Sequence, residues 1–100
     1  MKYAVIFEDN EHADPDIRKR HMAAHLAFLD SNGATIEAAG PLANTDGSVS
    51  GGLWLVEADD ADTIERLVHA DPFWPTGLRQ SVSIMAWTRV YADGERLIAI

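Results

Sequence analysis

The stretch Arg18-Lys19-Arg20-His21-Met22-Ala23-Ala24-His25-Leu26-Ala27-Phe28-Leu29 decides the fold of this chain. At about 100° per residue around a helix, its large apolar side chains fall on one continuous arc together with Ile17. His21 and His25 lie on the same arc, and His25 is near its centre. A buried imidazole without a hydrogen-bond partner costs about 1–3 kcal/mol. The pattern therefore predicts an amphipathic helix and raises the question of which residue contacts His25.

The composition is that of one acidic globular domain. One hundred residues, 47% of them apolar, can build a single hydrophobic core, so one domain over residues 1–100 is expected. A net charge of −8 provides no cationic surface of the kind that nucleic acid requires. No run approaches the roughly 20 apolar residues of a membrane span, and Glu8-Asp9 interrupt the first apolar run too early for a signal peptide. With no cysteines for disulfides, the expected location is the cytoplasm.

The chain predicts two helices and four main strands. Clusters of apolar, β-branched and aromatic residues predict strands at 2–8, 34–39, 51–58 and 80–91. Asp14-Pro15, an N-cap residue followed by proline, predicts the start of the first helix, and Gly33 predicts its end as a C′ glycine. The second helix is expected to begin after Asp59-Asp60 and to stop before Pro72.

Glycine-containing pairs predict the remaining boundaries. Gly40-Pro41 predicts the end of the second strand, and residues 42–50 are expected to form an exposed loop or hairpin connection. Asp93-Gly94 predicts a turn. Residues 96–100 are then expected to form a short strand that either pairs back or crosses to another subunit.

The order β-α-β-β-α-β predicts an α+β, ferredoxin-like antiparallel sheet with both helices on one face. Both sides of the predicted strands are apolar: the first strand alternates Tyr3, Val5 and Phe7 with Ala4 and Ile6. Two helices cover only one face of a sheet, and an exposed apolar face normally marks an interface. The expected partner is a second copy of the chain, with the two sheets packed face to face in a homodimer.

Asp71 is the candidate partner of His25. It lies seven residues after Ile64 on the apolar stripe of the second helix, so its side chain is expected to point toward the sheet. At the C-terminal end of a helix a carboxylate is disfavoured by about 0.3–1 kcal/mol, which makes the position unusual. A carboxylate that holds an imidazole fixes its tautomer and increases its basicity, as a general base requires. His25 and Asp71 are therefore the predicted catalytic pair.

Three alternatives stay open for these residues. Asp71-Pro72 is also the pattern of a helix N-cap followed by proline, and one carboxylate oxygen can cap while the other accepts from an imidazole. His25 can instead be satisfied by a backbone carbonyl in the core. His21 and His25 have the i, i+4 spacing of a two-histidine metal site, but the pattern lacks a glutamate between them and a cysteine partner. No metal and no other cofactor is expected.

Further residues are predicted to bind a small molecule. Arg18 or His21, close to His25 on the helix, could hold an anionic group, and Phe73 could cover a planar substrate. Glycine permits the close approach of a ligand, and a serine among apolar strand residues can hydrogen-bond one. The predicted substrate-binding residues are Arg18, His21, Gly40, Pro41, Phe73 and Ser83.

Three motifs occur in a set order: His25-Leu26, then Gly40-Pro41, then Asp71-Pro72-Phe73 followed by Gly77. In order and spacing they resemble the YciI-like, or YCII-related, family over residues 1 to about 90, with residues 92–100 outside the resemblance. The resemblance implies a dimeric α+β barrel and a histidine–aspartate active site at His25 and Asp71. Members of the family include dehydrochlorinases of chlorinated aromatics, and the superfamily includes muconolactone isomerases.

Two positions depart from the family pattern. Many members have an arginine where this chain has Met22, and a proline where it has Ala86. Arg18 lies on the same helix face and could replace the missing cation.

Together these features predict a small dimeric enzyme that acts on a small cyclic or enolisable molecule. His25, oriented by Asp71, would move a proton in an elimination or an isomerisation. The resemblance adds the degradation of aromatic compounds, of the dehydrochlorinase kind. The alternative is a non-enzymatic module that binds a small ligand or serves in regulation.

Overall fold

In the computed structural model, which describes residues 1–99, a four-stranded antiparallel sheet carries two helices on one face. From one edge to the other, the sheet consists of the second, third, first and fourth strands of the chain, which confirms the predicted α+β, ferredoxin-like fold. None of the helices within residues 1–99 has the length and apolar character of a membrane span. In chain order the elements are β1 (Lys2–Asp9), α1 (Ile17–Ser31), β2 (Ile36–Ala43), β3 (Val49–Glu57), α2 (Ala61–Ala70), a 3₁₀ turn (Trp74–Thr76), β4 (Arg79–Ala86), β5 (Tyr91–Ala92) and β6 (Glu95–Arg96).

The core lies between the helices and one face of the sheet. β1 contributes every second residue because successive side chains of a strand point to opposite faces. α2 contributes two fully buried residues four positions apart, which lie on one side of a helix. The buried side chains of this core are Tyr3, Val5, Phe7, Ile36, Trp54, Val56, Ile64 and Val68.

α1 buries less of its apolar arc than the sequence predicts. Within this helix Ile17 and His25 are buried, whereas Met22 is 37% exposed and Leu26 is 51% exposed. Both exposed side chains border an open cavity. This part of the predicted arc therefore faces the cavity instead of the core.

The first helix begins and ends differently from the prediction. Asp14 Oδ1 accepts a hydrogen bond from the Asp16 N–H at 2.9 Å, which forms a turn, and α1 starts at Ile17 instead of Pro15. At the other end, the Asn32 side-chain amide donates to the Phe28 carbonyl at 2.8 Å, and Gly33 is not in the left-handed conformation expected of a C′ glycine.

The second helix follows the prediction closely. Asp60 is its N-cap, and Asp60 Oδ1 accepts the N–H of Thr63 at 2.8 Å. The helix ends at Ala70, immediately before Asp71 and Pro72.

The predicted ends of two strands are wrong. β2 continues through Gly40 and Pro41 to Ala43, because it is an edge strand on which a proline need not donate to a neighbour. β4 ends at Ala86, near the N-terminal end of β1. Ala86 lies opposite Tyr3, and the Trp87 N–H then donates to the Lys2 carbonyl at 2.9 Å.

Residues after β4 form a small hairpin that pairs back on itself. β5 and β6 flank Asp93-Gly94, where both residues have positive φ, as the predicted turn requires. The Leu97 N–H donates to the Val90 carbonyl at 2.9 Å. The strand predicted at 96–100 is thus reduced to Glu95–Arg96, and Ile100 lies outside the described residues.

The sheet face away from the helices carries apolar side chains as well. Ile6 on β1 lies opposite Leu53 on β3, and Ala4 lies opposite Leu55 on one side and Met85 on the other. Met85 is 50% exposed in the single chain. We call the surface formed by Ala4, Ile6, Leu53, Leu55 and Met85 the outer face.

Candidate functional site

A cavity of about 210 Å³ opens between α1, the 71–79 segment and the helix-side face of the sheet. Aromatic and aliphatic side chains form most of its wall, including Phe7, Trp54 and Phe73. Its polar side chains are Asp9, Arg18, His25 and Arg79. An apolar pocket with a few convergent polar groups is the usual form of a small-molecule site.

His25 and Asp71 meet in the wall of this cavity. His25 Nδ1 lies 2.8 Å from Asp71 Oδ1, and Asp71 is only 1% exposed. An ionised carboxylate can only accept, so Nδ1 carries the proton and Nε2 is left as the acceptor of the neutral ring. The His25 ring packs on Phe73, with 4.4 Å between the ring centroids. The predicted pair is therefore assembled, with the imidazole fixed in one tautomer.

Asp71 is held by more donors than the sequence predicts. Its Oδ1 also accepts the Phe73 N–H at 3.0 Å, and its Oδ2 accepts from Arg79 Nη1 at 2.7 Å. One oxygen therefore accepts from both the Phe73 N–H and the imidazole, instead of a separate oxygen for each. The second oxygen is used by an arginine that sequence reasoning missed.

Sequence reasoning missed Arg79 because the alternation of side chains between the two faces of β4 is interrupted next to it. Simple alternation from Val82 would place residue 79 on the outer face with Ser81 and Ser83. The register shifts between Glu8 and Asp9, so that Glu8 pairs with Ser81 but Asp9 pairs with Arg79. An extra residue in one strand turns the following side chain to the other face, and Arg79 thus reaches the cavity.

Burial and hydrogen bonding act in opposite directions on the Asp71 carboxyl. Burial favours the neutral acid and raises its pKa, but the hydrogen bonds from His25 and the Phe73 N–H, with the charge of Arg79, outweigh it. The net result is a pKa below the usual range for aspartate. Burial also lowers the pKa of Arg79, against the opposing effect of Asp71, but an arginine remains charged at neutral pH.

A second arginine–aspartate pair lies at the same cavity. Arg18 Nη1 donates to Asp9 Oδ2 at 2.6 Å, and Arg18 Nη2 donates to Asp9 Oδ1 at 3.2 Å and to the Gly51 carbonyl at 3.4 Å. Both terminal nitrogens of Arg18, the predicted holder of an anionic group, are thus already engaged.

The structure brings together most, but not all, of the predicted site residues. His25, Arg18, Gly40, Pro41 and Phe73 line the cavity. Two predicted substrate-binding residues, His21 and Ser83, do not line it. Ser83 lies opposite Ile6 and therefore on the outer face, because their side chains share a side of the sheet.

The alternative metal site at His21 and His25 lacks further ligands. Over residues 1–99, no group of three or more histidine, cysteine, aspartate or glutamate side chains is placed to hold a metal ion.

The chain matches the sequence model of one family and is similar to several solved structures. The sequence model of the YCII-related domain matches residues 1–88. The solved structure of 5-chloro-2-hydroxyhydroquinone dehydrochlorinase (TftG) from Burkholderia phenoliruptrix AC1100, in complex with 2,5-dihydroxybenzoquinone, superposes with a TM-score of 0.74 at 26% identity. This match covers 88% of the present chain and 94% of TftG.

A more distant match shows the fold alone. Rv0793 from Mycobacterium tuberculosis has a TM-score of 0.50 and 17% identity, over 89% of the present chain and 97% of Rv0793. A comparison with curated proteins found no match.

Proposed function

Because the chain belongs to the YCII-related domain family, we propose that it is a small-molecule lyase or isomerase that uses His25 and Asp71 for acid–base catalysis. The observation that carries the proposal is the 2.8 Å hydrogen bond between His25 Nδ1 and Asp71 Oδ1 beside an open cavity. Asp71 orients the imidazole and stabilises it when it gains a proton, so Nε2 acts as the base.

The reaction begins when His25 Nε2 removes a proton from a C–H or O–H group of the substrate. The electron pair of that bond forms a new double bond in the substrate. In an elimination the leaving group departs with its own electron pair, so the net loss is one acid, HX. In an isomerisation the protonated His25 returns the proton to another carbon, and nothing is lost.

The proposed substrate is a hydroxylated and halogenated six-membered ring. TftG is named as a dehydrochlorinase of 5-chloro-2-hydroxyhydroquinone, and its structure contains a quinone. In the present chain the rings of Phe7, Trp54 and Phe73 line a cavity that also contains His25, as a planar ring with polar edges requires. The proposed mechanism needs no cofactor.

The test is chloride release from 5-chloro-2-hydroxyhydroquinone, followed with a chloride electrode. We expect catalysed release by the unmodified protein, and a decrease of about 10²–10⁴-fold in His25→Gln, because general base catalysis contributes about this factor. His69→Gln is the matched control, since His69 is an exposed histidine on α2.

Two outcomes would contradict the proposal. Full activity of His25→Gln would remove His25 from the mechanism. Binding of the quinone without any catalysed chloride release would favour the non-enzymatic ligand-binding module instead.

We also propose that the protein is a homodimer through the outer face. Ile6 and Leu53 lie at the centre of this face, and Met85 is half-exposed, so a single chain leaves apolar area in water that a second copy would cover. Sedimentation equilibrium should give twice the chain mass of 11.0 kDa. Ile6→Lys should reduce it to one chain, and a monomeric unmodified protein would disprove the proposal. The cytoplasmic location stays a prediction.

A further inference from the structure

Arg79 binds the same carboxylate as His25, through the other oxygen. Arg79 Nη1 lies 2.7 Å from Asp71 Oδ2, and the Arg79 side chain is only 7% exposed. Its guanidinium carbon lies 3.8 Å from the centre of the Phe7 ring, so a cation–π contact supports one side of the group. The guanidinium is therefore held by a carboxylate at one edge and by a ring on one face.

The rest of the guanidinium faces the cavity. Arginine has five N–H donors, and Asp71 is the hydrogen-bond partner of Arg79 among residues 1–99. No buried side-chain nitrogen or oxygen in this part of the chain lacks a partner. The Arg79 nitrogens that do not contact Asp71 therefore keep accessible surface, and Arg79 lines the cavity.

Arg79 and Arg18 differ in what they can offer a ligand. Both Nη atoms of Arg18 are engaged by Asp9, whereas only Nη1 of Arg79 is engaged by Asp71. His25 similarly uses Nδ1 for Asp71 and has Nε2 left. One carboxylate thus holds a proton acceptor and a charged donor, both at the wall of one cavity.

We infer that Arg79 donates a hydrogen bond to the substrate oxygen that becomes negative when His25 removes a proton. The charge balance favours this proton transfer, because the positive charge gained by His25 compensates the negative charge formed on the substrate. A charged donor fixed in place before the reaction stabilises such an anion strongly. The inference rests on the proposed function and defines its substrate class: a planar ring with an oxygen that is, or becomes, anionic.

The test compares an anionic ring with a neutral ring by isothermal titration calorimetry at pH 7. 2,5-Dihydroxybenzoquinone is ionised at this pH, since its hydroxyls are vinylogous acids, whereas hydroquinone is a neutral phenol. In Arg79→Lys the ammonium can still pair with Asp71 but has no fork that reaches both Asp71 and the ligand. We expect the affinity for the quinone to fall about tenfold or more, and that for hydroquinone less than about threefold.

Arg20→Lys is the matched control, because it makes the same chemical change in an exposed arginine of α1 that does not line the cavity. It should weaken quinone binding less than about threefold. A second measurement needs no variant: the visible spectrum of the bound quinone should show that it stays ionised to lower pH than the free quinone.

The outcomes separate this inference from the proposed function. If the unmodified protein binds neither ring, the proposed substrate class fails and the role of Arg79 fails with it. If the unmodified protein binds the quinone, but Arg79→Lys lowers the affinity for neither ligand or lowers both affinities equally, only the role of Arg79 is overturned. An unshifted spectrum of the bound quinone would overturn it as well.

Discussion

The Asp71–Arg79 pair and the Asp9–Arg18 pair join the same side-chain types beside one cavity, but their surroundings differ. Their shortest N–O distances are almost equal, at 2.7 and 2.6 Å. The side chains of Asp71 and Arg79 are 0% and 7% exposed, whereas those of Asp9 and Arg18 are 14% and 29% exposed. We call Asp71–Arg79 the inner pair and Asp9–Arg18 the outer pair.

The difference in burial determines how much stability is lost when one residue of a pair is replaced. Water compensates the outer pair in part when one partner is removed, because both side chains keep contact with solvent. In the inner pair, removal of one partner leaves a buried charge without compensation. Burial, and not the distance between the charges, therefore separates the two pairs.

The number of donors also differs between the two carboxylates. Asp71 accepts from His25, from the Phe73 N–H and from Arg79, so a change at this residue affects the base and the cation together. Asp9 accepts both of its contacts from Arg18 and leaves little of that arginine for a ligand. The outer pair thus joins β1 to α1. In the inner pair, Asp71 holds both candidate reactive groups, His25 and Arg79.

The largest expected effect is on stability. Asp71→Asn should lower the free energy of unfolding by about 3–5 kcal/mol, because it leaves the Arg79 charge buried and unpaired. Asp9→Asn is the matched change in the outer pair and should cost less, about 1–2 kcal/mol, because this pair is only partly buried and keeps contact with water. Urea unfolding measures both values. Equal losses in the two variants would show that burial does not distinguish the pairs.

A smaller effect is expected on the pH dependence of stability. The pKa of Asp71 is lowered by folding, so its contribution is complete above the unfolded pKa of about 3.9 and is lost as the pH falls through the lower folded value. Stability measured between about pH 5 and pH 2 should therefore decrease less steeply in Asp71→Asn than in the unmodified protein.

Asp9→Asn provides the comparison for the acid range. This variant should still show the part of the stability loss in acid that the protonation of Asp71 causes. The exposed aspartates whose pKa values are also lowered, Asp14, Asp46 and Asp60, are present in every one of these proteins and cancel in the difference. Parallel pH curves for Asp71→Asn and the unmodified protein would contradict the role of the inner pair.

Local patterns predicted several elements that depend on neighbouring residues, although they misplaced both ends of α1. Asp60 caps α2 because its side chain reaches an N–H three residues ahead, and the Asp93-Gly94 turn depends on the positive φ of two adjacent residues. The same reasoning failed at Pro41, whose tolerance depends on β2 being at the edge of the sheet. The residues next to Pro41 in the sequence do not show whether their strand lies at the edge of a sheet.

The candidate site shows the same division. Helical periodicity could place His25 on the apolar arc of α1, and Asp71 in line with the apolar stripe of α2 one residue past its end, because each concerns a single element. It could not show the role of Arg79, since the register shift between Glu8 and Asp9 arises from the pairing of two strands distant in the chain. Nor could periodicity show that Asp9 already engages Arg18.

The sequence by itself determined the order of the elements, the apolar faces and the two residues that had to find partners. Periodicity, capping and the cost of an unpaired buried group are local or compositional properties, so they can be read without coordinates. Only the tertiary structure decided which charges are buried, which arginine keeps a free edge and which side chains share the cavity. These depend on distances between residues far apart in the chain, and strand register and packing alone set those distances.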